Sequence, residues 1–371
     1  MSEVAEQLES ALILSASDSI FYLRWRGLND IQRARLGPAG AERFRKLANA
    51  VEAMPGQSSG KSGRFSGPHS ITDEEIDFAL YVQREERSRV IPAETLAVEG
   101  KRRMLLGHDA VVGLTLPWDK AQDRVRMLPG KLAIWAGWSH HGKSQMLKQL
   151  MLHAITIGER VCIASMEEDM REVWEDMGCM ACGGPSPTAR EIDKWIEFQT
   201  GTLWFYDQQG TIDAKKIRSV IRYCAEEKGI TQFVIDSLMM LAVNRDDFDA
   251  QAIFVGDLKA LAKDTGCTIH LVCHMRKREG AKGEEQPGSP HDISGGHEIF
   301  SKADYAFNVW RDKKRKNPLD PECILSVDKQ RGRSNWIGKL SLDFHAASRQ
   351  FIEGKFPMSF WPARYPGEDD E

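Results

Sequence analysis

The sequence predicts an α/β fold, a mainly parallel twisted sheet flanked by helices, with a small helical region ahead of it. Three observations predict it. From Val111 onward, short apolar runs alternate with amphipathic segments, the pattern of strands joined by helical crossovers. One run, Leu132–Ala136, stops at a glycine-rich turn that leads directly into a helical segment. Other runs end in Asp, Glu or His, at the edge where an open parallel sheet binds its ligands.

Length and composition set the bounds. A chain of 371 residues has room for one large α/β domain and a smaller extension. Its 42% hydrophobic and 28% charged residues are those of an ordinary globular protein. No apolar run approaches the ~18 residues of a membrane helix. The opening MSEVAEQLES lacks a basic-then-apolar pattern, so a cytoplasmic protein is expected. Seven scattered cysteines, an odd number, fit reduced thiols. The pair Cys179-x-x-Cys182 lacks a second pair or a histidine at zinc spacing and reads as structural. The net charge of −4 conceals basic runs at Arg276–Arg278 with Lys282 and at Arg311–Lys316.

In chain order, residues 1–54 read as helical, with Val4, Leu8, Ala11 and Leu12 at helical spacing and a second amphipathic segment at Ala41–Ala53. Residues 55–71 are rich in Gly and Ser and read as a linker. Its Gly60-Lys61-Ser62 has neither a strand before it nor a helix after it, and is no phosphate site. Residues 72–110 read as linker helices: Thr72-x-x-Glu75 is a capping box opening a helix to about Arg89, Pro92 breaks it, and Ala93–Leu106 follows. Such a segment suits an arm docking on a neighbouring subunit, or a helix packed on its own core. The core spans 111–360. Its strands are expected at Leu132–Ala136, Val161–Ser165, Leu203–Tyr206, Gln232–Ile235, Thr268–Cys273, Tyr305–Trp310, Cys323–Val327 and Trp336–Leu342. Helices are expected at Lys143–Ile157, Ala214–Glu227 and Ala250–Asp264, and residues 361–371 form an acidic tail.

The turn after Leu132–Ala136 reads Gly137-Trp138-Ser139-His140-His141-Gly142-Lys143-Ser144, with Gln145 continuing the helix. This is G-x-x-x-x-G-K-[ST] between a strand and a helix, the phosphate-binding loop in the setting it requires. Backbone N–H groups and the helix N-terminus face a polyphosphate, Lys143 reaches the β- and γ-phosphates, and Ser144 holds Mg²⁺. ATP and Mg²⁺ are the ligands this implies.

Four further groups belong around that loop. Glu167, past the second strand, stands where a carboxylate polarises an attacking water, while Glu168 and Asp169 begin and cap the next segment. Asp236 ends the run QFVID and is placed to hold Mg²⁺ directly or through water. His274 ends the next strand, able to contact a γ-phosphate and report its loss to the basic loop Arg276-Lys277-Arg278 with Lys282. The run Asp328–Arg333 ends another strand, and its cations suit a finger inserted into a neighbouring subunit's site. Arg331 is favoured for its fork of donors, with Lys329 assisting.

In this order the motifs are recognisable. Residues 111–351 carry GLTLPWDK and LPGKL before the phosphate loop, then SMEE, QFVIDSL, His274 with its basic loop, DISGGHEIFSKADYAFNVWRD, and VDKQRG. They resemble the RecA-like ATPase domain of DnaB-family replicative helicases, of the helicase halves of phage primase–helicases and of Twinkle. The resemblance implies hexameric rings, 5′-to-3′ movement on single-stranded DNA at a replication fork, and a phage- or plasmid-encoded origin. It implies Glu167 as catalytic carboxylate, His274 as phosphate sensor and Arg331, with Lys329, as a trans-acting finger. It also lines a central DNA channel with the loops after Asp236 and His274, hence with Arg245, Arg276, Lys277, Arg278 and Lys282. Trp138, His140 and His141 depart from the small residues usual in this loop, and are tolerable there if they point outward. Residues 1–110 show no zinc-binding primase cysteines, so primase activity is not expected, and that region is left to recruit a separate primase or loader. A filament-forming recombinase on the same core, and an ATP-gated regulatory module, are the alternatives.

Overall fold

The computed structural model describes residues 41–42, 45, 70–71, 73, 76–82, 92–106, 113–208, 212–238, 248–276, 285–293, 296–315, 320–332 and 336–360. The chain divides into two units, Met1–Gly67 and Pro68–Glu371. In the first, Ala41, Glu42 and Arg45 are helical.

The second unit is built on a ten-stranded sheet ordered β1-β6-β5-β7-β8-β4-β9-β10-β11-β12. Its strands are β1 (Ser70–Ile71), β4 (Leu132–Gly137), β5 (Val161–Ser165), β6 (Leu203–Tyr206), β7 (Gln232–Asp236), β8 (Thr268–His274), β9 (Tyr305–Arg311), β10 (Cys323–Gln330), β11 (Gly338–His345) and β12 (Gln350–Ile352). A small antiparallel pair, β2 (Leu114–Thr115) and β3 (Arg126–Met127), lies outside it. From β1 to β9 the pairings are parallel; β9 to β12 are antiparallel. The helices are α1 (Phe78–Val82), α2 (Ala97–Leu106), α3 (Asp119–Gln122), α4 (Lys143–Thr156), α5 (Met170–Cys182), α6 (Ala189–Gln199), α7 (Ala214–Glu227), α8 (Phe248–Thr265) and α9 (Gly296–Lys302). None of the described helices is long and apolar enough to cross a membrane.

β4, β5, β6 and β7 are buried at every residue because helices cover both faces. The period of two sorts their side chains. Ala133 and Trp135 join the core beneath α4 and α5, whereas Leu132, Ile134 and Ala136 join the one beneath α7 and α8. Between the central strands lies a polar chain: Trp135 Nε1 donates to His270 Nδ1 at 3.2 Å, and His270 Nε2 meets Gln232 Oε1 at 2.9 Å. Burial pushes the His270 imidazole down to about 3, so it stays neutral.

Several expectations need correction. The linker expected over 55–71 stops short of its last two residues: Ser70–Ile71 pairs in parallel with β6, and Ile71 is buried. Of the helix expected from Thr72 to about Arg89, the structure describes α1, Phe78–Val82; Thr72, Glu75 and residues 83–91 lie outside the described residues. α1 packs on α7: Tyr81 meets Tyr223 edge-on at 5.9 Å and its hydroxyl donates to Glu227 Oε1 at 3.1 Å. These short segments are fixed by contacts with distant residues, and no local period announces them. The last long strand begins at Gly338, two residues after the expected Trp336. α5 and α6 are additional to the expected helices, although α6 opens on a Thr188–Glu191 capping box and sets Ile192, Trp195 and Ile196 at helical spacing. Cys179 and Cys182 lie on α5, their thiols against the Pro185 and Glu191 carbonyls, and burial raises both, Cys182 to about 11. The acidic tail lies outside the described residues.

Candidate active site

The sheet order places β5, β7, β8 and β4 side by side, with their C-terminal ends on one edge. Register aligns the end residues: Gly137 pairs with His274, and Ser165 with Asp236. The loop after β4 starts α4, with Gly142 as N-cap at φ 90°. A Cβ on Gly142 would stand 2.7 Å from the Phe351 ring of β12, and one on Gly137 would stand 2.4 Å from the Val309 carbonyl. Glycine is needed at both places, and the loop is shaped by strands far along the chain.

Inside the loop, Lys143 Nζ donates to the Gly137 and Trp138 carbonyls at 3.1 and 2.9 Å. Burial lowers its pKa, with Asp236 and Glu167 pulling the other way. Trp138 and His141 do not point outward, the condition on which their bulk would be tolerated; both are buried. Trp138 Nε1 donates to the Gln286 carbonyl at 3.2 Å, and His141 Nδ1 accepts from the Arg311 backbone N–H at 3.0 Å. Both side chains brace the loop from behind. Ser139 and His140 are exposed, His140 at a left-handed φ of 60°. Gln145 Nε2 donates to the Arg349 carbonyl at 2.8 Å, which ties α4 to the turn before β12.

Two acidic groups face this loop in different states. Ser144 Oγ donates to Asp236 Oδ2. Burial pushes the Asp236 carboxyl up to about 6, with the Ser144 hydroxyl opposing and Glu167 and Glu168 adding to the rise. Glu167 is held at about 2, chiefly by the His274 imidazole, with burial opposing and the Ser237 hydroxyl helping. Ser237 Oγ donates to Glu167 Oε1 at 2.8 Å, and His274 Nε2 stands 3.7 Å from the same oxygen. His274 Nδ1 lies 3.4 Å from Ser139 Oγ. Glu168 goes elsewhere, to Lys148 Nζ of α4 at 2.7 Å, and Lys148 also bonds Asp176 at 3.1 Å. Asp169 caps α5, accepting from the Arg171 N–H at 2.7 Å. Sequence reasoning missed Ser237 and Lys148. The first adjoins Asp236 in the chain; the second declared itself only as a buried lysine one turn past the loop.

Such an edge can seat a polyphosphate on backbone N–H groups and a hard cation between Ser144 and Asp236. The donor set fits: an oxygen pair, one member a buried carboxylate. One expected outcome follows. The folded Asp236 titrates near 6 against 3.8 for the free group, so the folded protein resists ionising it, and the cost grows as pH rises from about 4 to 6 and stays above that. At about 1.4 kcal/mol per unit, Asp236→Asn should stabilise the metal-free protein by roughly 1–3 kcal/mol at pH 7.5 and by little at pH 4. Denaturant melts at the two pH values check it; destabilisation at pH 7.5 would refute the reading.

The remaining candidates are dispersed. Lys329 and Arg331 lie at the opposite end of the sheet, since Gln330 pairs with Tyr305 and Tyr305 with Ala133 at the start of β4. Lys329 Nζ donates to the Phe300 and Ser301 carbonyls at 2.7 and 2.8 Å, and Arg331 Nη2 donates to the Ser301 carbonyl at 3.2 Å, all at the C-terminus of α9. Burial, then Arg331 and Lys259, lower Lys329 to about 8. Of the cations expected on DNA, Arg276 is exposed just past His274, its backbone N–H on the Asp292 carbonyl at 2.8 Å. Arg245, Lys277, Arg278 and Lys282 lie outside the described residues.

A family model for the DnaB-like helicase C terminal domain matches residues 126–353, more than half of the chain. A DNA helicase/primase of Enterobacteria phage T3 is 22% identical over 173 residues, 42% of this chain and 31% of that protein. The chain thus matches about a third of that relative's length. Among solved structures, the ATPase domain of G40P superposes with a TM-score of 0.62 at 15% identity, over 72% of this chain and 100% of that one. A structure of a DnaB-like replicative helicase and its interactions with primase superposes at 0.57 and 13% identity, over 86% of this chain and 81% of that one. The fold is therefore the RecA-like P-loop fold of those domains.

Proposed function

The chain belongs to the DnaB-like helicase C-terminal domain family, and from that premise we propose that it is an ATP-driven, ring-forming replicative helicase moving 5′-to-3′ on single-stranded DNA. One observation carries the proposal: Lys143, Asp236, Glu167 and His274 converge on one sheet edge, while Arg331 stands at the other. Lys143 binds the inner and terminal phosphates. Ser144 and Asp236 would hold Mg²⁺, which would supply charge neutralisation to the bound phosphates. Glu167, kept anionic, orients the attacking water, and Ser237 fixes that carboxylate in place. His274 touches both Glu167 and Ser139, so loss of a terminal phosphate is felt where β8 passes into the basic loop. That loop and the one after Asp236 bring Arg245, Arg276, Lys277, Arg278 and Lys282 to DNA phosphates. Arg331, with Lys329, completes a neighbouring subunit's site in a hexamer. The region before the core recruits a separate primase or loader.

The test is ATP hydrolysis with and without single-stranded DNA, followed by unwinding of a forked duplex. Stimulation should be strong, DNA affinity should fall with salt at a log–log slope near −0.7 per phosphate contact, and Lys143→Ala should abolish both activities. Assembled rings that hydrolyse ATP yet never open a fork at any salt would defeat the helicase reading. Filaments on single strands would favour a recombinase.

A further inference from the structure

The basic run Arg311–Lys316 is a motif the proposed mechanism leaves unused. In the structure Arg311 ends β9, and residues 312–315 continue from it in a turn. Its neighbours go to carboxylates: Arg311 Nε to Glu322 Oε1 at 2.7 Å, Arg315 Nη1 to Asp343 Oδ1 at 3.0 Å, and Lys314 Nζ to Glu285 Oε1 at 3.3 Å. Lys313 goes to the phosphate loop, where its Nζ donates to the Ser139 carbonyl at 3.2 Å. The turn that presents it is braced: the Asp312 N–H donates to the Glu322 carbonyl at 2.8 Å and the Lys314 N–H to Asp312 Oδ1 at 2.9 Å. His141, buried behind the loop, accepts the Arg311 N–H at 3.0 Å. Loop and turn are thus joined at two points, one inside and one at the rim.

We propose that Lys313 is a second phosphate-binding cation of the site, an ammonium of the same chain that engages the terminal phosphate of a bound nucleoside triphosphate. The inference rests on the reading of Gly137–Ser144 as a triphosphate loop and adds a residue to it. Location decides which phosphate. Ser139 Oγ is 3.4 Å from His274 Nδ1, and His274 Nε2 is 3.7 Å from Glu167. The Ser139 end of the loop therefore faces the water-orienting carboxylate, where the terminal phosphate is cleaved. Electrostatics agree, for Lys313 is near enough to lower the pKa of Lys143. Two ammonium groups brought together on one loop repel each other until an anion sits between them. Exchanging a carbonyl for a phosphate oxygen gives the Lys313 ammonium an acceptor that is itself charged.

The experiment is calorimetric titration of the full-length protein with Mg²⁺–ADP and with a Mg²⁺-bound non-hydrolysable β,γ-imido ATP analogue. It compares wild type, Lys313→Gln, Lys313→Glu and Lys313→Arg, with Lys143→Ala as the reference for the site. Lys313→Gln should weaken the triphosphate roughly tenfold, the value of one charged hydrogen bond at an exposed position. ADP should change by less than about twofold, Lys313→Glu should be worse than Lys313→Gln, and Lys313→Arg should restore the preference. Equal losses for both nucleotides would make Lys313 a brace of the loop and overturn the proposal, as would no loss for either. If Lys143→Ala discriminates and Lys313→Gln does not, this inference fails alone. Wild-type protein that binds neither nucleotide overturns the site reading and this inference with it.

Discussion

Glu167→Gln should lower ATP turnover by roughly 10²–10⁴-fold while leaving nucleotide affinity within a few-fold of wild type. The substitution preserves shape, and the Ser237 hydroxyl, 2.8 Å from Glu167 Oε1, can donate to the amide oxygen as it does to the carboxylate. What is lost is the negative charge that His274 and Ser237 hold ionised down to about 2. The sharpest comparison is with its neighbour. Glu168 is committed to Lys148 at 2.7 Å, so Glu168→Gln should keep turnover within the same order of magnitude and show its effect in thermal stability. Reversal of the two phenotypes in steady-state ATPase assays would transfer the catalytic role to Glu168. The pH profile supplies a second check. Because Glu167 remains ionised far below neutral pH, an acid limb between pH 5 and 7 would not belong to it, and a limb that weakens as Mg²⁺ is raised would point to Asp236, pushed up to about 6.

The parts of this site legible in the sequence are those set by local chemistry. The strand, glycine loop and helix from Leu132 to Thr156 follow from the spacing of two glycines and a Lys-Ser pair, and β7 ending in Asp236 follows from one apolar run stopped by a carboxylate. The order of strands places those ends together, and the alternation of strand and helix foretells it. What escaped reading is long-range. Trp138 and His141 turn inward because Gln286 and Arg311, more than a hundred residues away, offer them partners. Gly142 is obligatory partly because Phe351 lies against it, held by Gln149, which gives its amide N–H to the Phe351 carbonyl at 2.9 Å and accepts the Phe351 N–H at 2.8 Å. The choice between Glu167 and Glu168 looks arbitrary in a Glu-Glu pair, and only Lys148, a turn of α4 away, decides it. Ile71 and Tyr81 join the core through partners on β6 and α7 that no periodicity over 68–82 could reveal.

Arg331→Ala should lower ATP turnover of the assembled protein by roughly 10³–10⁵-fold, and the loss should be repairable from a second subunit. Geometry requires this if Arg331 acts on phosphate at all. Register puts Gln330 opposite Tyr305 and Tyr305 opposite Ala133, while the phosphate loop leaves β4 at Gly137, four residues on. At about 3.3 Å per residue that is roughly 13 Å of strand before the loop begins. The guanidinium is directed to the Ser301 carbonyl at that far end, and the Arg331 N–H donates to the Asp304 carbonyl at 2.8 Å. An Arg331 side chain docked there cannot reach Lys143 of its own chain, so any phosphate it met would be in the site of another subunit. Mixing Arg331→Ala subunits with Lys143→Ala subunits tests the point. Each is inactive alone, but where an intact phosphate loop meets an intact Arg331 the mixed ring contains a complete site, and DNA-stimulated hydrolysis should return. Fork unwinding should recover less, because it needs several sites firing in turn. Absence of recovery at every mixing ratio, with co-assembly verified by native mass spectrometry, would remove Arg331 from the active site.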